Sequence, residues 1–257
     1  MGMEKAQGLV LRVTDWSETS RIATLWTEEL GKVRVLAKGG RRAKSPFENA
    51  LDLLTLCSMV LLRKSHGGLD ILTEAQAVQF FPGIRKNLSS LHAGYYLAEL
   101  LEGWTQDHDP HPALFQTAVQ ALYSWSGLGE SALPEEEIKA RVSYVLFHFE
   151  SVLLREMGFQ PELDACTGCG KLAGGWPMFF SPAQGGIQCQ KCVSSDRFAV
   201  KISQPAWSAW RSVKATGECE LWPRPLRKDL RKVLGTYFTY LLGKRPKLLP
   251  YLESGGI

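Results

Sequence analysis

The chain has 257 residues, 45% of them hydrophobic and 22% charged, with six cysteines and a formal net charge of +4. That is enough apolar material for a sizeable core and enough length for two modest domains. No apolar run approaches the roughly 18 residues of a membrane span and no charged-then-apolar leader opens the chain, so a cytoplasmic protein without a membrane partner is expected.

The charge is unevenly spread. Residues 31–64 hold eight Lys/Arg against two acids, a net of +6, and residues 221–250 hold eight against one, a net of +7. Residues 87–165 hold three against twelve, a net of −9. Two basic segments flanking an acidic one point to a polyanionic partner more than the total charge does.

In chain order, the first eighty residues predict strands. Apolar and polar residues alternate over 9–14, β-branched and aromatic residues continue over 20–27, and a turn at 28–31 leads to alternation over 32–38. Strands over 54–63 and 69–80 follow, split by His66-Gly67-Gly68. Five strands with a longer connection between the third and fourth suit an OB-fold barrel, although the count alone also fits an SH3-like barrel.

On the third strand Lys32, Arg34 and Lys38 share one face by the period of two, while Val33, Val35 and Ala37 take the other and fill the barrel. The strand runs into "LAKGGRRAKSPFEN", residues 36–49, which adds Arg41, Arg42 and Lys44. Like charges crowded on a loop repel one another, so an incoming anion would relieve them. Gly39 and Gly40 would let the backbone approach that partner. Trp16, Trp26, Phe47, Tyr95 and Tyr96 are candidates for base stacking, most of them equally at home in a core.

Helical periodicity begins near Leu88 and runs to Trp104. Pro112 to Trp125 forms a second amphipathic stretch. Pro134 followed by Glu135, Glu136 and Glu137 is a strong helix start, and Gly158 stops that helix. Further helices are expected over 205–213 and 225–242. In the latter, Arg227, Lys228, Arg231 and Lys232 form a basic stripe, either a solvated face or a second nucleic-acid contact. "DHDPH", with Asp107, His108, Asp109 and His111, reads as a turn, with a metal site as its rarer alternative.

Between these helices lie "CTGC" and "CQKC", residues 166–169 and 189–192. Two C-x2-C pairs at this separation predict one metal site of Cys166, Cys169, Cys189 and Cys192, read as a zinc ribbon. Four thiolates fill a tetrahedron, so the metal is expected to be structural zinc. The stretch between the pairs holds too little apolar mass for its own core. Cys57 reads as a core filler and Cys219 as an incidental thiol. No P-loop, nucleophile elbow or dinucleotide fingerprint appears, so no enzymatic activity is expected.

The stretch "GLVLRVTDWSETSRIATLWTEELGKVRVLAKGGRRAKSPF" resembles the amino-terminal barrel of the bacterial RecO family. Glu18-Thr19-Ser20-Arg21 and residues 37–45 carry the family pattern, except that Gly40 stands where many relatives have alanine. The helical body and the four-cysteine insert resemble that family in place and order. The resemblance implies an α+β protein: an OB-fold domain over residues 1–82, then a helical domain over 83–257 with a zinc-ribbon insert at about 163–198.

It also implies a non-enzymatic recombination mediator in DNA repair. Such a protein binds single- and double-stranded DNA, anneals strands, and engages RecR and single-stranded-DNA-binding protein so that RecA can be loaded. Lys38, Arg41, Arg42 and Lys44 are carried over as DNA contacts; Lys32 and Arg34 join them by the strand-face argument. About five phosphate contacts would give a log-log salt slope near −3.5 for single strands. Two rival readings stay open: an RNA-binding or transcription-associated module, and a metal-dependent nuclease built on the "DHDPH" acids and histidines.

Overall fold

Alternating side chains with one apolar face cannot stay as a single strand in water, and here five strands solve the problem by closing on themselves. The computed structural model describes residues 2–42, 45, 47, 49–64, 68–193, 196–213 and 221–257. The barrel strands are β1 (Met3–Asp15), β2 (Arg21–Thr27), β3 (Gly31–Ala37), β4 (Leu56–Leu62) and β5 (Asp70–Gln79). They close in the order β1-β2-β3-β5-β4, with β4 pairing back on β1. A short parallel contact, Val35↔Asp70 and Leu36↔Ile71, joins β3 to β5. That order is the OB-fold, which removes the SH3-like alternative.

The inward face is the expected one. Val33, Val35 and Ala37 are fully buried with Ala23, Leu25, Met59 and Leu61, and Phe47 and Leu51 plug the interior from the β3–β4 connection. Gly8 has no room for a side chain, because a Cβ there would lie 2.6 Å from the Met59 Cε. Two strand bounds differ from the periodicity. β1 starts at Met3, since its polar first half is held by the ladder from Met3↔Leu62 to Leu9↔Leu56. β4 starts later than residue 54, because Leu54 has a left-handed backbone (φ 65°) that a strand cannot continue.

Among the described residues six α-helices follow: α1 (Leu88–Trp104), α2 (Pro112–Glu130), α3 (Glu135–Glu156), α4 (Gln204–Val213), α5 (Arg224–Leu242) and α6 (Leu249–Gly255). A 3-10 turn, Pro82–Lys86, precedes them. The Asn87 side chain caps α1 by accepting the Ser90 N–H at 3.0 Å. Gly243, in the left-handed region, ends α5.

The chain divides into two compact units. One comprises residues 1–86 and 97–130, and thus the barrel, α2 and the second half of α1; the other comprises residues 87–96 and 131–257. In the first unit Trp26 points outward from the barrel yet is fully buried, because Phe115 of α2 packs on it at 5.7 Å. No helix among the described residues is long and apolar enough to cross a membrane.

The second unit contains a small sheet in the order β7-β6-β8, built from β6 (Met178–Ser181), β7 (Gly186–Cys189) and β8 (Val200–Ile202). Phe180 of β6 is fully buried against Trp210 of α4 (5.3 Å) and Tyr237 of α5 (5.0 Å). The insert therefore borrows the helical core instead of relying on a metal alone.

The acids of α3 meet arginines of α5 inside this unit. The buried Arg231 donates two bonds to Glu150, Nη1 to Oε1 at 2.5 Å and Nη2 to Oε2 at 3.0 Å, and its Nε donates to the Ile257 carbonyl at 3.3 Å. Arg227 pairs with Glu136 and donates to the Trp222 and Gly256 carbonyls at 2.9 and 3.1 Å. Burial pushes the Glu150 carboxyl upward, and the paired guanidinium opposes it. Breaking such a pair leaves one charge stranded. Glu150→Leu is therefore expected to lower stability by about 3–5 kcal/mol, whereas Glu150→Leu/Arg231→Met recovers most of it; urea unfolding of both variants checks this.

Candidate nucleic-acid interface and metal centre

The cationic turn after β3 is built by its own glycines. Gly39 sits at φ 77°, and Gly40 and Arg42 donate their N–H groups to the carbonyls of Ala37 (3.2 Å) and Gly39 (3.0 Å). Both glycines are buried, so they make the turn and do not open the backbone to a partner, contrary to the expectation. The turn is pinned to the β1–β2 connection: the Arg41 N–H donates to Thr19 O at 3.1 Å and its Nη1 to Ser17 O at 2.8 Å.

Asp15, the last residue of β1, holds two guanidinium groups at once, Arg21 Nε at 3.3 Å and Arg41 Nε at 3.3 Å. One carboxylate against two cations leaves positive charge in excess at this end of the barrel. Lys38 and Arg42 are exposed and form no ion pair among the described residues. Trp16, in the same β1–β2 turn, is 65% exposed. The end of the barrel thus gathers Arg21, Lys38, Arg41 and Arg42 beside one bare aromatic. Lys44 lies outside the described residues.

Two residues expected in this group are placed elsewhere. Lys32 is buried: its ammonium donates to the Glu102 carbonyl at 2.8 Å and the Thr105 carbonyl at 2.5 Å, and it cannot reach a phosphate. Burial drives its pKa down; Asp107 at 3.7 Å opposes that shift. Arg34 remains exposed, but its Nη2 bonds Asp107 Oδ2 at 2.8 Å. Lys32 and Arg34 do lie outside the barrel core, as the alternation requires, but the chain that returns at residues 102–107 covers that face of β3.

That returning chain continues into "DHDPH". It runs against β3 through a bridge between Lys32 and Asp107, and His108 N–H donates to Lys32 O at 3.0 Å. Gly31 makes the approach possible, since a Cβ there would lie 2.5 Å from the Asp109 backbone. With Asp107 given to Arg34 and Lys32, and Asp109 facing His111 at 3.3 Å, these residues form no group of metal ligands among the described residues.

The basic stripe expected on α5 also changes. Arg227 and Arg231 are buried in the pairs described above, because the apolar face of α5 carries them inward against α3. Lys228 and Lys232 alone of the four are exposed. Of the expected stacking platforms, Trp26, Phe47 and Tyr96 belong to the core and Tyr95 is half-buried.

Arg21 is the cation that sequence reasoning missed as a site residue. The signal was Asp15 and Arg21 flanking a short β1–β2 turn, and it becomes readable once the register Asp15↔Arg21 and Arg21↔Ala37 is known.

The four cysteines converge. The sulfurs of Cys166, Cys169, Cys189 and Cys192 all lie within 4.8 Å of one another, with Cys169 and Cys189 at 3.9 Å. Four thiolates about 2.3 Å from one tetrahedral ion would stand about 3.8 Å apart, so the donor set fits a metal. Gly168 is needed for that closeness: a Cβ would meet the Cys192 Cβ at 2.7 Å and Sγ at 3.0 Å. Burial raises the Cys166 thiol, but the N–H groups of Cys189, Cys169 and Gly168 outweigh it and bring it down to about 6, favouring a thiolate. Cys57 is the contrary case, pushed up to about 12 by burial in the barrel wall and inert. Cys219 lies outside the described residues.

Barrel, helices and metal-competent ribbon together define a class of protein: an OB-fold binding domain fused to a helical body with a four-cysteine knuckle. Sequence comparison narrows it. Residues 1–81 match Recombination protein O N terminal and residues 85–250 match Recombination protein O C terminal. The DNA repair protein RecO of Rhodopirellula baltica is 34% identical, over 96% of this chain and 97% of its own. Those of Bacillus pumilus and Myxococcus xanthus are 31% and 30% identical, each over 97% of this chain and over 94% and 96% of their own. The chain belongs to the RecO family of DNA repair proteins.

The Asp107–Arg34–Lys32 cluster yields a pH prediction. Burial would raise the Asp107 carboxyl, but hydrogen bonding and charge from Arg34 outweigh it and hold it below its ordinary value of 3.8. Its stabilising contribution is therefore complete above that ordinary value and is lost as pH falls through the folded-state value. Asp107→Asn should shrink the acid-side loss of stability by less than about 1 kcal/mol, since Asp107 and its main partner Arg34 are both well exposed. Urea midpoints measured from neutral to acid pH check it.

Proposed function

We propose that this protein is a non-enzymatic recombination mediator that binds single- and double-stranded DNA at the end of its barrel and anneals complementary strands. In this reading it acts with RecR and single-stranded-DNA-binding protein, in the cytoplasm, to help load RecA onto coated strands. The observation that carries it is the turn after β3. Lys38 and Arg42 form no ion pair there among the described residues, and Arg21 and Arg41 share one carboxylate. Such a cluster is relieved by phosphates, and the neighbouring Trp16 offers a ring for an unstacked base.

Annealing needs two strands held together with their repulsion screened. No proton transfer, nucleophile or leaving group is involved, so cations on a rigid frame suffice. With Lys38, Arg41, Arg42 and Lys44 as contacts, and with Lys32 and Arg34 committed elsewhere, the log-log salt slope for oligo(dT) should be about −2.8. A slope near zero, or equal affinity of a matched RNA under the same salt, contradicts the proposal. The domain division that goes with it is a DNA-binding barrel over residues 1–82 and a helical partner-binding body from 83 onward.

We infer that the four-cysteine site takes zinc. An all-thiolate tetrahedral set is its commonest structural environment, and a filled sphere leaves no position for water or substrate. When bound, the ion ties the two knuckles together. The chain's own part is to hold four sulfurs at that spacing with Gly168 and the backbone N–H donors. Elemental analysis of the purified protein should find about one zinc per chain. Cys169→Ser and Gly168→Ala should lower both the zinc content and the Tm.

A further inference from the structure

The second unit carries an aromatic and cationic track unrelated to the barrel. Along α5, Lys228, Lys232, Thr236 and Tyr240 recur every fourth residue and so lie on one side of the helix, about 6 Å apart. Lys228 and Lys232 are exposed and form no ion pair among the described residues. At the far end the Tyr240 ring, 41% exposed, meets Phe198, 44% exposed, edge-on at 5.7 Å. Arg197 lies over the Phe198 ring at 4.7 Å.

These rings border an open groove of about 460 Å³ whose wall continues through Thr236 and Thr239 to Arg245. Arg245 is half balanced by Glu253, whereas the adjacent Lys244 is exposed and free of ion pairs among the described residues. Single exposed aromatics are ordinary on a protein surface. Two in contact, with a guanidinium on one of them and lysines leading up to them, are not. The rings supply stacking area, the lysines supply phosphate neutralisation at helical spacing, and the groove is wide enough for a base.

We propose that this track binds single-stranded nucleic acid, as a second strand site distinct from the barrel turn. The proposal rests on the DNA-binding reading above and adds to it a place for the other strand during annealing. Unpaired bases are required because only they expose a face for Tyr240 and Phe198 to stack on. Lys228 and Lys232 would meet successive phosphates. The track carries five exposed cations, Arg197, Lys228, Lys232, Lys244 and Arg245, against Glu253, an excess that suits a polyanion more than a neutral partner.

The test is photocrosslinking of the full-length protein to oligo(dT) containing iodouracil, with the crosslinked peptides identified by mass spectrometry. Two sets are expected, one from the barrel turn and one containing Phe198 or Tyr240. Phe198→Ala/Tyr240→Ala should reduce the second set about tenfold, slow annealing by a similar factor, and leave the first set unchanged. Arg41→Glu/Arg42→Glu should do the converse, so failure of the barrel reading and failure of this one give different patterns. Lys228→Glu/Lys232→Glu, wholly on the surface, repeats the test should the aromatic variant lose its fold. Crosslinks confined to the barrel in the wild-type protein, or unchanged on α5 in both variants, overturn the proposal.

Discussion

Closure of the barrel by the β1–β4 ladder is the constraint on which the rest depends. Seven consecutive residue pairs, Met3↔Leu62 to Leu9↔Leu56, fix β1 in register, and a bulge between Val10 and Arg12 then shifts its register against β2. Only in that register does Asp15 end beside Arg21, and only then does the β1–β2 turn lie where Thr19 and Ser17 can receive Arg41. A slip of one residue would exchange the inner and outer faces of β1 and scatter the cluster. The cationic end of the barrel is thus a consequence of strand pairing, not of the loop sequence alone.

Charge behaves differently in the folded chain than in the linear one. The segregation of basic and acidic segments reads as a signature of a polyanion partner, and part of it does stay exposed in the fold. Another part is internal complementarity: Glu136 and Glu150 of the acidic segment take Arg227 and Arg231 of the basic one, and Asp107 takes Arg34. What remains after these pairings is smaller and sharper, namely the turn after β3 and the exposed lysines of α5. Counting charges by segment overstates a binding surface whenever the opposite charges are destined for the same core.

Much of the fold was legible from local pattern. The β-branched and aromatic run of β2, the alternation over β3, the proline and triple glutamate opening α3, and the glycine after α3 each express a local steric or dipolar rule, and each element stands where that rule puts it. The two C-x2-C knuckles were equally readable, because ligand spacing is itself local. The missed features share one cause, contact over long sequence separation. The first half of β1 is polar and becomes a strand through β4; Lys32 is hidden by carbonyls seventy and more residues away. The anchoring of Phe180 by Trp210 and Tyr237 likewise has no trace in periodicity.

The barrel end and the ribbon illustrate two ways of stabilising a small irregular feature. The turn after β3 is held by hydrogen bonds to a neighbouring turn, leaving its charged tips outward. The ribbon gathers four sulfurs on one side and seats a buried ring on the other. The most direct measurement is the affinity of a folded Arg41→Glu/Arg42→Glu variant for oligo(dT) at low ionic strength, with circular dichroism confirming the fold. The account predicts a loss of at least about a hundredfold, as two favourable phosphate contacts become repulsive. Affinity equal to that of the unaltered protein would contradict it.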